Sequence, residues 1–157
     1  MTLFKNIFSF EGSNFNLFLS KRNKDKNKKF DKNTAAILFI DDEEFPIVKN
    51  LHKQAGWNTK RISDLKNLQD PQIIQSQIIF VDYEGVGGIL YPKEKGLGIV
   101  KALKETYGDS KRVILYSGHN TFPVDAKLEV ADDRLAKNSD LYEFIRVIEA
   151  EIKNLNI

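Results

Sequence analysis

Five polar side chains stand just past four short apolar runs, and their types suit phosphoryl chemistry. Asp41-Asp42 follow the run 35–40, Asp82 follows 77–81, Ser117 follows 112–116, and Lys137 follows 130–136. Three carboxylates brought together do not all stay ionised without a cation. An all-oxygen donor set of this kind suits a hard divalent ion, and Mg²⁺ typically takes one or two carboxylates and keeps several waters. Asp82, alone at the end of its run, is the candidate nucleophile, since an aspartate carboxylate can form an acyl phosphate. Lys137 supplies a fixed positive charge and Ser117 a hydroxyl donor for a phosphoryl oxygen. Gly118 leaves the pocket open. The chemistry these groups allow is in-line transfer of a phosphoryl group to Asp82, followed by hydrolysis by water.

For these side chains to meet, the four runs must be parallel, neighbouring strands. The intervals permit it: 40 residues separate Asp42 from Asp82, 35 separate Asp82 from Ser117, and 20 separate Ser117 from Lys137. Each has room for a crossover. After Asp42, the acidic Glu43-Glu44 and Pro46 read as a first helical turn, Ile47, Val48, Leu51 and Ala55 as an apolar face, and Gly56 as the stop. Residues 57–62 read as an edge strand. Leu65 and Leu68 predict a short second helix stopped by Asp70-Pro71. Ile99, Ala102, Leu103 and Tyr107 form the stripe of a third helix closed by Gly108, and 123–128 predicts a stunted fourth. The last helix starts near Ser139/Asp140, with Glu143 three residues after Asp140 as in a capping box, and its stripe is Leu141, Phe144, Ile145, Ile148 and Ile152. Strand–helix alternation with nearly continuous apolar strands implies an α/β fold with a parallel sheet covered on both faces. Such sheets bind ligands at the carboxyl ends of their strands.

At 157 residues the chain is expected to form one domain, with no room for an appended output or DNA-binding domain. It has no cysteine, which excludes disulfides and thiolate metal sites and makes the cytoplasm the default location. No apolar run is long enough to span a bilayer, and the first residues lack a secretory pattern. The net charge of +2 is uneven. Residues 21–33 hold seven basic and two acidic residues, +5; Lys5 and Glu11 cancel, so 34–157 carry −3. A basic nucleic-acid-binding core is therefore not expected. The chain divides into a Phe-rich segment with a basic linker, 1–33, and a domain, 34–157. The first segment is read as a solvated or self-packed tail; docking on a partner, or on an anionic membrane through its apolar and basic stretches, is the lesser alternative. His52 reads as a surface histidine and Trp57 as packing at the sheet edge.

Residues 35–157 resemble the receiver domain of bacterial two-component response regulators. Ile37-Leu38-Phe39-Ile40-Asp41-Asp42-Glu43 is similar to the family's first strand and acidic pair, and Ile79-Phe80-Val81-Asp82 to its phosphoacceptor strand. Ile114-Leu115-Tyr116-Ser117-Gly118-His119 matches the hydroxyl strand. The lysine strand is matched by residues 131–137, followed by Asp140-Leu141. The resemblance implies a flavodoxin-like, doubly wound five-stranded parallel sheet of order 2-1-3-4-5, the order found in a chemotaxis receiver of that family. It implies Mg²⁺ held by Asp41, Asp42, Asp82 and the backbone carbonyl of Glu84. A histidine kinase or phosphotransfer protein would be the phosphodonor, and a downstream protein the reader. It also implies a phosphoacceptor that promotes its own phosphorylation and dephosphorylation, with Glu84 and His119 at the rim positions that tune phosphoryl lifetime.

The chain departs from the family at three places. Asn138 replaces the proline that follows the lysine, which leaves either a non-proline cis bond costing ~3 kcal/mol or a trans bond with Lys137 shifted. Arg134 replaces the aromatic residue that changes rotamer on activation. The stretch 83–98, with Gly85, Gly87 and Gly88, is longer than the usual turn and is a lid, a partner site or a tolerated insertion. Two other readings stand beside a stand-alone switch: a pseudo-receiver that keeps the fold as an interaction module without switching, and a Mg²⁺-dependent phosphatase.

Overall fold

A computed structural model of the chain describes residues 29–118 and 128–157. The described residues hold five strands and four α-helices, in the order β1 (Ala36–Ile40), α1 (Pro46–Lys53), β2 (Asn58–Ile62), α2 (Pro71–Gln75), β3 (Ile78–Asp82), α3 (Lys95–Tyr107), β4 (Arg112–Ser117), β5 (Asp133–Ala136) and α4 (Leu141–Leu155). The strands form one parallel sheet of order β2-β1-β3-β4-β5. The flavodoxin-like order expected from the resemblance is the one observed.

Alternation along the central strands sends successive side chains to opposite faces. Leu38, Ile40, Ile79, Val81, Val113 and Leu115 pack beneath α2 and α3, with Ile73, Val100 and Leu103. Ile37, Phe39, Ile78, Phe80, Ile114 and Tyr116 pack beneath α1 and α4, with Leu51, Phe144 and Ile148. Both faces are covered, which is why β1, β3 and β4 read as unbroken apolar runs. Trp57 is buried in the second cluster at the β2 edge, and the exposed His52 ring nitrogen Nδ1 lies 3.0 Å from the Trp57 carbonyl.

The last helix carries the predicted capping box: the Asp140 carboxylate accepts from Glu143 N–H and the Glu143 carboxylate from Asp140 N–H. Gly56 (φ 70°) and Gly108 (φ 53°) follow α1 and α3 in the left-handed region where glycine is least strained. Four local expectations are corrected. The helix expected around Leu65 and Leu68 is absent, and the helix instead begins at Pro71. Asp70 accepts from Gln72 N–H as its cap and Pro71 takes the first position, where a missing N–H costs nothing. Glu43 and Glu44 precede α1 rather than forming its first turn. The fifth strand begins at Asp133, after a 3₁₀ turn at Leu128–Val130. The glycine-rich stretch 83–98 is a loop only to Glu94, because Gly96 and Gly98 lie inside α3. A Cβ at Gly96 would stand 1.9 Å from the Asp82 carbonyl oxygen, so this glycine lets the helix start against the end of β3.

The stunted helix expected at 123–128 lies, except for Leu128, outside the described residues, as do His119 and residues 1–28. Phe30, just inside them, packs on the α1/α4 cluster, and its backbone N–H and carbonyl both bond to the Asn156 side chain at 2.7 Å.

Candidate functional site

Parallel register brings the carboxyl ends of β1, β3, β4 and β5 to one edge, and the side chains at or just past those ends converge there. Asp41, Asp42 and Asp82 each offer a carboxylate oxygen, all within 4.8 Å of one another. Asp41 is fully buried, Asp82 nearly so, and Asp42 exposed. From β5, the Lys137 ammonium reaches Asp41 Oδ2 at 2.8 Å and Asp82 Oδ2 at 3.4 Å. Ser117 is 3% exposed, and its carbonyl accepts from Lys137 N–H at 2.7 Å, continuing the β4–β5 ladder into the pocket. The described residues contain no cis peptide. The Lys137–Asn138 bond is therefore trans, and the lysine still reaches both carboxylates.

Charge and burial oppose each other here. Burial raises the Asp82 carboxyl above its ordinary value, as does the Asp41 charge, while Lys137 and the Gly85 N–H pull it back. Burial pulls the Lys137 ammonium down. Its hydrogen bond to Asp41 and the charges of Asp82 and Asp41 outweigh that, and the group ends above the ordinary lysine value.

Asp41 is the most heavily bonded member. Its Oδ1 accepts from Glu43 N–H at 3.0 Å. Its Oδ2 accepts from both the Lys137 ammonium and the Tyr116 hydroxyl, the latter at 2.6 Å. Its main-chain carbonyl accepts from Arg61 at 2.6 Å. The Lys137 ammonium also lies 5.5 Å from the ring centroids of both Phe45 and Tyr116, within cation–π range. Phe45 stacks on Tyr116 at 5.7 Å. Burial and the Asp41 carboxylate push the Tyr116 phenol far above its ordinary value, so it remains a donor at any physiological pH.

The remaining candidates take varied places. Glu84 is exposed, and the peptide joining it to Gly85 points its N–H at Asp82 Oδ2, 3.3 Å away. A trans peptide directs N–H and carbonyl oppositely, so the Glu84 carbonyl faces away from that oxygen. Gly85 itself is wedged into the pocket: a Cβ there would stand 1.9 Å from Asp42 Oδ1 and 2.8 Å from Asp82 Oδ2. Gly118 is roomier: among the described residues a Cβ there would meet only Lys137 Cδ, at 4.0 Å. Arg134 is exposed on β5.

Sequence reasoning passes over Tyr116, Phe45, Gly85 and Arg61. A tyrosine near the carboxyl end of a largely buried strand is the available signal, because a buried phenol requires an acceptor. The donor set fits a hard divalent cation: all ligating atoms are oxygen, Asp42 is open to solvent, and three carboxylates face one ammonium.

No protein-family model and no curated protein matches the chain. Solved structures do. A response regulator from Thermotoga maritima aligns at 17% identity and TM-score 0.56, over 76% of this chain and 98% of its own. The receiver domain of NtrX from Brucella abortus aligns at 21% identity and TM-score 0.57, over 74% and 98%. A putative two-component response regulator/GGDEF protein gives TM-score 0.62 at 18% identity, over 80% of this chain but 52% of its own length. At these identities the likeness establishes architecture: the chain has the five-stranded parallel fold of these response regulators.

Proposed function

We propose that the chain is a receiver-type phosphoacceptor that takes a phosphoryl group on Asp82 and signals through a partner that recognises the modified surface. The observation that carries this reading is the convergence of Asp82 with Lys137 and the acidic pair at one sheet edge. Asp42 and Asp82, with an oxygen of Asp41, would hold Mg²⁺, which when bound offsets the negative charge of the phosphoryl oxygens.

The residues divide the work. An Asp82 oxygen lone pair forms the new O–P bond while the bond from phosphorus to the donor atom breaks on the opposite side, its electron pair leaving with the donor. Lys137 faces the developing charge as a fixed cation, and Ser117 at the end of β4 donates to a phosphoryl oxygen. Water attacking the same phosphorus later returns the carboxylate and releases phosphate. A histidine kinase or phosphotransfer protein would serve as donor. The described residues contain no helix long and apolar enough to cross a membrane.

The test is incubation of the protein with Mg²⁺ and acetyl phosphate. Intact mass should rise by one phosphate, the adduct should be base-labile, and both Asp82→Asn and omission of Mg²⁺ should abolish it. A second reading, an interaction module without switching, draws on the Asp41 carboxylate, one oxygen of which is already shared by Lys137 and Tyr116. That reading expects a folded, unlabelled protein that does not bind Mg²⁺. Sustained turnover of added phosphoesters would instead mark a phosphatase.

A further inference from the structure

The geometry points to Tyr116 as a positioning residue that makes Lys137 transferable between Asp41 and a phosphoryl group on Asp82. The inference rests on the phosphoacceptor reading and adds to it a residue that neither touches the phosphoryl group nor ligates a cation.

Lys137 sits closer to Asp41 Oδ2 (2.8 Å) than to Asp82 Oδ2 (3.4 Å). In this state its ammonium is parked on a carboxylate with no solvent exposure. A phosphoryl group on Asp82 brings negative oxygens beyond that carboxylate, and Lys137 has to shift toward them. The shift removes a charged donor from Asp41. A buried carboxylate that loses its donors carries a desolvation cost, and that cost holds the lysine back.

Tyr116 removes this obstacle. Its hydroxyl donates to the same Asp41 oxygen at 2.6 Å, so Oδ2 keeps a donor after the ammonium departs, while Oδ1 keeps Glu43 N–H. The phenol is itself fixed: its ring is fully buried, stacks on Phe45 at 5.7 Å and meets Phe39 and Phe80 edge-on at 6.0 Å. It therefore does not follow the lysine. Lys137 can slide along the Phe45 and Tyr116 rings, 5.5 Å from each, without a rearrangement of the core. Without the hydroxyl, Lys137 is the one remaining donor to Asp41 Oδ2 among the described residues, and the carboxylate holds it more tightly.

The experiment uses the full chain, Mg²⁺ and beryllium trifluoride, a mimic of a carboxylate-bound phosphoryl group. Affinity is measured by titration, and the Lys137 ammonium is followed by ¹⁵N NMR. Tyr116→Phe keeps the ring contacts and should bind the mimic about tenfold more weakly, the scale of one hydrogen bond to a charged group. The Lys137 resonance should move on adding the mimic to the native protein and move little in Tyr116→Phe. In a Lys137→Met background, Tyr116→Phe should have no further effect. Asp41→Asn, which removes the parking charge, should show Lys137 at its mimic-bound position before any mimic is added. If Tyr116→Phe does not fold, 3-fluorotyrosine at position 116, which keeps the ring and alters the strength of the hydroxyl donor, should change the mimic affinity and the Lys137 shift together, and unchanged values overturn the inference.

Native-like affinity in Tyr116→Phe, or the same loss in the Lys137→Met background, overturns the inference and leaves the phosphoacceptor reading standing. Native protein that is folded yet binds no mimic overturns both, and that failure is visible without any variant.

Discussion

Charged side chains cluster at both ends of the sheet, and the two clusters are built on different rules. At the amino ends of the strands, Asp132 accepts from Lys104 at 2.9 Å and from Val113 N–H at 2.7 Å and forms an ion pair with Arg112 at 3.1 Å, while Arg112 also pairs with Glu151. Two cations meet two partly or largely buried anions, and the donors are matched to acceptors. At the carboxyl ends, Asp41, Asp42 and Asp82 meet the Lys137 ammonium, while Arg61 bonds to the Asp41 main-chain carbonyl. The first cluster is closed and ties α3, β4 and α4 together. The second carries excess negative charge that a cation would relieve, and burial makes that excess costly. Balance marks a cluster that serves the fold, and imbalance marks one poised for a ligand.

The contrast predicts opposite responses to losing an aspartate. Asp132→Ala removes the acceptor that Lys104 and Arg112 share, leaving them Asp109 and Glu151, and should cost about 3 kcal/mol, the low end of the range for breaking a buried pair, or a Tm lower by about 10 °C in a domain of this size. Asp82→Asn should raise the Tm at pH 7. The folded Asp82 carboxyl titrates above its unfolded value because of burial, so the folded state binds the proton more tightly. Stability from this group is therefore present at low pH and is lost as pH rises from the unfolded value through the raised folded one. Thermal melts from pH 3 to 7 should show that slope in the native protein and a flatter one in Asp82→Asn. Equal destabilisation by the two substitutions would break the contrast.

Cation binding sharpens it further. Mg²⁺ should stabilise the native protein by mass action, by about 2.7 kcal/mol at a hundredfold excess over its Kd, and raise its Tm accordingly. Asp42→Asn should remove most of that gain. Gly85→Ala should weaken Mg²⁺ binding by roughly tenfold, about 1.4 kcal/mol, because the added methyl lands on the Asp42 and Asp82 carboxylates. Isothermal titration of the two proteins checks it; unchanged affinity would show that the loop gives way instead.

What the sequence discloses follows the same division. Strands β1, β3 and β4 are legible because burial on both faces leaves a continuous apolar run, and the polar residue that ends each run marks the site. Helices α3 and α4 announce themselves through their stripes, a glycine stop and a capping box. Asp70-Pro71 reads wrongly as a stop, because proline is equally at home in the first position of a helix and only the Asp70 cap distinguishes the cases. Tyr116 escapes for a different reason. Its role depends on reaching from β4 across β3 to β1, and no spacing in the chain encodes a side chain's reach across an intervening strand. Gly85 escapes because a glycine three residues past an aspartate reads as a turn, and its closeness to Asp42 depends on how that turn folds back.

The smallest expected effect lies at the closed end and tests whether closure there tolerates an awkward charge. Lys111 is 6% exposed, and its ammonium caps α2 by donating to the carbonyls of Ile74 at 2.9 Å and Ser76 at 2.6 Å, beneath the Tyr107 ring at 4.9 Å. Burial lowers its pKa to about 8, below the ordinary 10.5. Between those values the unfolded chain binds the extra proton, so stability should rise as pH goes from 8 toward 10.5. Tyr107, whose phenol burial pushes above its ordinary value of 10, opposes this only at the alkaline edge. Lys111→Met loses two hydrogen bonds and also the desolvated charge, so its net cost at pH 7 should be within about 1 kcal/mol. Chemical denaturation of both proteins at pH 7, 8, 9 and 10 gives the answer. An upward slope that vanishes in Lys111→Met identifies a lysine kept for its two carbonyls despite the burial of its charge; a flat profile in the native protein would mean that those carbonyls and the Tyr107 ring hold the ammonium as well as water does.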